Sequence, residues 1–180
     1  MKTDIKDFVK YLTEVSDNHG VKQEERLDAF CDFIINLFST VSYKPERCKL
    51  SIVTPENEDY INLVSRWCGM VAEEMKKGNA FDLFGRLYEQ MFLLKSKASA
   101  NGQFFTPDSL CRLMASITDA DVEEKECNGG LVRVNDCACG SARTLLAHFM
   151  AKTSKDRFLA GRYYYEAADI DLPTCKMAAC

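Results

Sequence analysis

Leu131–Ser154 reads LVRVNDCACGSARTLLAHFMAKTS. Its first six residues are a short β-rich run that ends on Asp136. A run of small residues follows, and from Arg143 the apolar residues return at helical spacing. A strand, a small-residue turn and a helix in direct succession open a nucleotide-binding α/β fold. Phe158–Asp171, FLAGRYYYEAADID, reads as the second strand, closing on acidic residues, and LPTCKMAAC starts another helix. Small residues at Ala138, Gly140, Ser141 and Ala142 admit close approach of a ligand to the backbone. The helix N-terminus behind them offers unpaired N–H groups. Asp169 could accept from both hydroxyls of a ribose. The same spacing is equally that of a tight strand-to-helix turn with Ser141 as N-cap, and spacing alone does not choose.

Upstream, Asn101–Leu110 reads NGQFFTPDSL. Thr106 is placed as an N-cap and Pro107 as the first residue of a helix running to about Ile117. That accounts for TPD and leaves Phe104 and Phe105 as an unexplained apolar pair on a turn. The polar segment KSKASANGQ precedes them and sets a domain boundary near Lys95 to Gly102, giving domains at 1–98 and 99–180. Before it, helical stripes recur at Ile5, Phe8, Val9, Leu12 and Val15, and at Leu27, Phe30, Ile34 and Leu37. A third helix spans Glu56 to Lys77 with Ile61, Val64, Trp67, Cys68, Val71 and Met75, ended by Gly78-Asn79. A fourth carries Phe81, Phe84, Leu87, Tyr88 and Met91. These stripes read as core, and no chemistry is assigned to them.

The chain has 180 residues, 47% of them hydrophobic, and a net charge of −4. A core can form, and a free-standing nucleic-acid grip, which needs a basic face, is disfavoured. No signal-peptide core follows MKTDIKDF, and no apolar run spans a membrane. The nine cysteines therefore read as buried cytoplasmic thiols. The tightest group is Cys127, Cys137 and Cys139. It has no paired C-x-x-C, and His19 and His148 are isolated, so no metal site is expected.

GQFFTP, then VNDCACGSARTLLA, then EAADIDLPTCKMA resembles, in that order, the amino-terminal part of adenine-N6 DNA methyltransferases. The likeness is greatest to the modification subunits of type I restriction systems and their phage relatives, and covers roughly Phe81 to Cys180. The resemblance implies a helical amino-terminal domain followed by the start of a Rossmann-like, three-layer α/β/α methyltransferase domain, incomplete in this chain. It implies S-adenosylmethionine as cofactor. Phe104, Phe105 and Thr106 would wrap one side of it. Asp136, Ala138, Cys139, Gly140 and Ser141 would lie beneath its methionine moiety, and Asp169 would hold the ribose. Asp171 either shares that face or caps the next helix. It implies DNA as partner, gripped mostly through regions outside this chain. A specificity or restriction subunit and a second copy of the chain stay open as further partners.

Four departures stand out. The proline after the loop aspartate is Cys137 here. The last loop glycine is Ala142, a concern if that position needs positive φ, and Arg143 stands where a small or apolar residue is common. The catalytic [ND]-P-P-[FY] motif, whose aromatic stacks on the flipped adenine, occurs nowhere in the sequence. No catalytic residue is therefore assigned, and the isolated chain is not expected to methylate DNA. Two strands alone make a marginal sheet, so the chain reads as the front of a larger enzyme, or as one stabilised by dimerisation or by its amino-terminal helices. Two other readings are weighed: a non-catalytic docking module of a restriction or phage system, and an NAD-type dinucleotide binder. The missing fingerprint glycines count against the latter.

Overall fold

The computed structural model describes residues 4–38, 57–79, 81–92, 105–118, 131–152 and 160–180. The order is α1 (Ile5–Asn18), a 3-10 turn (Gln23–Glu25), α2 (Arg26–Phe38), α3 (Glu58–Lys76), α4 (Leu83–Met91), α5 (Asp108–Ile117), β1 (Val132–Asp136), α6 (Arg143–Lys152), β2 (Tyr163–Ala167) and α7 (Leu172–Ala179). The described residues are thus mostly helical, with two short parallel strands. They fall into two compact units. One draws on Met1–Glu73, Leu83–Gln103 and Ala179–Cys180, the other on Glu74–Asp82 and Phe104–Ala178. The segment expected to carry the boundary, 95–102, lies outside the described residues, as do Phe104 and Cys127.

The first unit is built on aromatic packing. Phe8, Leu12 and Val15 of α1 are buried, as are Leu27, Phe30 and Ile34 of α2, as their stripes require. The Phe8 and Phe30 rings lie 5.8 Å apart, and Phe33 meets Tyr60 at 5.4 Å. The third helix departs from its expected stripe. Its buried face is Tyr60, Leu63, Val64 and Met70, while Cys68 is exposed and Met75 is 43% exposed. The cause is Tyr60. Its ring sits wholly inside, and its hydroxyl lies 3.2 Å from the Ser16 hydroxyl, so the polar tip is satisfied without reaching water. Tyr60 and Leu63, both absent from the expected stripe, are fully buried.

In the second unit, β1 and β2 pair in parallel, Val132 opposite Tyr163 and Asp136 opposite Ala167. Parallel neighbours need a crossover, and α6 lies in it. The ladder is closed at its ends by Val132 N–H to Arg162 O, 2.8 Å, and Ala168 N–H to Asp136 O, 2.9 Å. Against α6 packs α5, through the buried Cys111, Ala115 and Ala147. Such small side chains let two helices approach closely. The start of α5 differs from expectation by one residue. Pro107, with ψ 143°, is the residue before the helix, and Thr106 is not its cap. The carbonyl of Pro107 accepts from Leu110 and Cys111 N–H, at 2.9 and 3.0 Å, while that of Thr106 turns away to a buried arginine.

Candidate functional site

Both strands end at one place, and the chain beyond each forms the site. After β1, the carboxylate of Asp136 folds back over its own turn. Oδ1 accepts from Ala138 N–H at 3.1 Å, and Oδ2 accepts from the Thr144 hydroxyl at the start of α6. This is an Asx-type turn, the local bond that aspartate offers a tight loop. Cys139 N–H reaches Ala168 O at 3.0 Å, tying the loop to the chain after β2.

Asp169 locks the same loop from the other strand. Its Oδ2 accepts from Gly140 N–H at 2.9 Å and its Oδ1 from Asp171 N–H at 3.0 Å. The Asp171 N–H, and with it that of Gly140, holds the Asp169 carboxyl below the usual aspartate range, outweighing partial burial. Asp171 itself caps α7: its Oδ2 accepts from Thr174 N–H at 3.2 Å, and its carbonyl from the Thr174 hydroxyl at 2.7 Å. Of its two expected roles, the structure gives it the helix cap.

Two residues of the loop have left-handed backbone. Gly140 has φ +53° and Ala142 φ +64°. The worry attached to Ala142 is therefore real, since an L side chain tolerates that region poorly. Gly140 is glycine for a second reason. A Cβ there would lie 2.9 Å from Cε1 of Phe105 and 3.0 Å from its Cδ1. The half-buried Phe105 ring thus leans on the loop backbone, and the aromatic left over in the sequence has a place.

Beneath the ring lies a cluster that sequence reasoning did not assemble. Arg143 is 7% exposed and Asp82 3% exposed. Arg143 Nε donates to Asp82 Oδ2 at 2.8 Å, and Nη1 donates to Thr106 O at 3.1 Å. The guanidinium carbon lies 5.6 Å from the Phe105 ring centre. Asp108 Oδ1 stands 3.5 Å from Nε. The Ser141 hydroxyl also donates to Asp82 Oδ2, so Ser141 is spent on the acid rather than on capping α6. A cation at a helix N-terminus opposes the dipole, and the two carboxylates offset it. The signal was Arg143 itself: an arginine among apolar helix residues calls for an acid partner. The cavity beside the pair, touching Cys111 and Leu146, has room for a solvent molecule and not for a nucleoside.

The remaining candidates separate clearly. Cys139 is buried and its thiol is pushed up to about 11, by burial first and then by Asp169 and Asp136, which leaves it almost wholly protonated at neutral pH. Cys137 beside it is exposed. Among the described residues no group of three metal-ligating side chains converges. His19 Nε2 lies 2.9 Å from Asp59 Oδ1, and His148 Nδ1 3.0 Å from the Tyr165 hydroxyl. Among the described residues no helix is long and apolar enough to cross a membrane.

The unit so defined is a strand–loop–helix–strand with an acidic lock from the second strand onto the loop of the first. Residues 79–179, more than half of the chain, match the family of N-6 DNA methylases, and the chain belongs to that family. Its function is accordingly of the DNA N6-methyltransferase type, with DNA as the family's substrate. No curated protein and no solved structure matches the chain significantly.

Proposed function

We propose that this chain is the cofactor-binding front of an S-adenosylmethionine-dependent adenine-N6 DNA methyltransferase. In this reading a helical domain up to about residue 98 precedes the opening βαβ unit of a Rossmann-like domain. One observation carries it: the Asp169 carboxylate, beyond the end of β2, is hydrogen-bonded to Gly140 N–H in the loop beyond β1. Ligands of open parallel sheets bind in the crevice outside the carboxyl ends of the strands, and an acceptor there suits a ribose diol. The donor set fits the group. The Asp169 carboxylate takes the N–H of Gly140 and of Asp171, with Ile170 and Thr174 contributing as well, and is an acceptor of the kind a ribose diol requires.

The cofactor, when bound, supplies an activated methyl group on its sulfonium. The chain's own residues bind and orient. Asp169 would accept from the ribose hydroxyls, and Asp136, Ala138, Cys139, Gly140 and Ser141 would hold the methionine moiety. Phe105 and Thr106 would line one side of the cofactor and exclude water, a role that the resemblance extends to Phe104. No residue here is given a role in activating the adenine amino group, because the sequence holds no [ND]-P-P-[FY]. Restriction-modification is the setting the motif order supports.

Calorimetry with S-adenosylhomocysteine tests the reading. The expected result is saturable binding, weakened about tenfold or more by Asp169→Ala, the range that follows from losing hydrogen bonds to a charged acceptor. Absence of binding by the folded chain overturns it. A second reading, a docking module for a specificity or restriction subunit, is favoured by one feature. Leu110, Leu113, Met114 and Ile117 form an exposed apolar stripe on α5, Ile117 being 68% exposed. Cofactor-independent association with such a subunit, lost on Leu113→Glu, is the result that reading requires.

A further inference from the structure

We propose that the buried Asp82–Arg143 pair is a positioning device that sets Phe105 and the Thr106 carbonyl against the Asp136–Ala142 loop, and through them the affinity for the adenosyl cofactor. The proposal rests on the reading above. Its geometric half stands on this structure alone.

The pair reaches both walls of the site at once. From one guanidinium, Nε goes to Asp82 at 2.8 Å, Nη1 to the Thr106 carbonyl at 3.1 Å, and the ring of Phe105 lies 5.6 Å from its carbon. The same Asp82 oxygen takes the hydroxyl of Ser141, inside the loop. Phe105 in turn touches the Gly140 backbone closely enough to forbid a side chain there. Two residues thus connect the GQFFTP segment to the cofactor loop by a continuous set of contacts.

Stability alone does not account for such a pair. Buried ion pairs are expensive to desolvate, and a well-packed apolar pair of similar volume is often as stable or more so. An apolar pair, however, cannot hold a carbonyl and a ring in fixed relation. Lysine cannot either, since it lacks the planar fork that places donors in two directions from one group. Arg143 therefore does what the usual small residue at this position would not.

The test compares the full chain with Asp82→Ala/Arg143→Leu and with Arg143→Lys. The first removes both charges together and leaves none buried alone. The second keeps the charge and loses the fork. Two readouts are taken. Proton NMR follows the Gly140 α-protons, which the Phe105 ring current displaces in the wild type. Calorimetry follows S-adenosylhomocysteine.

The expected result is a folded variant in which the Gly140 displacement collapses and the dissociation constant rises about tenfold or more. A folded variant with the Gly140 α-protons at wild-type positions overturns the proposal. So does a collapsed displacement with unchanged affinity. If the double variant does not fold, Arg143→Lys carries the same comparison. If the wild type binds no cofactor, the cofactor reading fails, and the affinity half of this proposal fails with it. The Gly140 signal then still decides whether the pair positions Phe105.

Discussion

Gly140→Ala probes the site at its tightest point, and its cost can be worked from two separate terms. The backbone there has φ +53°, and placing an L residue in the left-handed region costs roughly 1–2 kcal/mol. The new methyl would lie 2.9 Å from Cε1 of Phe105. Ring or loop must shift, and overpacking of this kind costs about 1–3 kcal/mol. Stiffening the unfolded chain returns roughly 0.4–1 kcal/mol. The sum is about 3 kcal/mol, a large share of the roughly 5–15 kcal/mol that holds a domain together.

Native-state hydrogen exchange reads this locally. The amides of Val132 and Ala168 close the two ends of the strand ladder, at 2.8 and 2.9 Å from their acceptors. Their exchange through unit-wide opening should accelerate roughly a hundredfold. Repeating the substitution in a Phe105→Ala background isolates the ring contact, and there the backbone cost of about 1 kcal/mol should remain. Exchange within about threefold of wild type in the Phe105 background and in its absence alike would refute the left-handed conformation at Gly140.

Ala142→Gly works in the opposite sense. Relief of φ +64° is worth roughly 1–2 kcal/mol, against about 0.8 kcal/mol for the buried methyl it removes and roughly 0.4–1 kcal/mol for the freer unfolded chain, so the thermal midpoint should stay within a few degrees of wild type where an ordinary buried Ala→Gly lowers it. Alkylation by iodoacetamide at pH 8, mapped by mass spectrometry, should label exposed Cys137 at least an order of magnitude faster than buried Cys139, whose thiolate fraction with a pKa of about 11 is on the order of one in a thousand. The Gly140 amide should report the protonation of Asp169, to which it is bonded. Because the folded carboxyl titrates below the ordinary 3.8, its contribution is fully present above that pH and is lost as pH falls through the lower folded value. The amide shift should therefore stay level from neutrality to about pH 4 and move only below it.

Much of the second unit was legible because its signals are local. A short β-rich run ending at Asp136 sets β1, small residues demand a turn, and apolar spacing after Arg143 sets α6. All three lie where the sequence placed them. The glycine that Ala142 replaces raises the question of a positive φ there, and the backbone has one. What the sequence hid depends on contacts between distant residues. Asp82 precedes α4 in the chain, and nothing in its neighbours along the sequence marks it. Only in three dimensions does it meet Ser141 and Arg143. Thr106 failed as a helix cap for the same reason, since its carbonyl is claimed by that arginine. Tyr60 misled in another way. An amphipathic side chain can go either in or out, and a distant Ser16 hydroxyl decided it.

Titration of the purified chain with S-adenosylhomocysteine, beside its Asp169→Ala variant, tests the central claim most directly. Saturable binding by the wild type, weakened about tenfold or more in the variant while far-UV circular dichroism is unchanged, is the result required of a cofactor-binding front. A folded wild-type chain that takes up no cofactor, or a variant that binds as tightly as wild type, contradicts it.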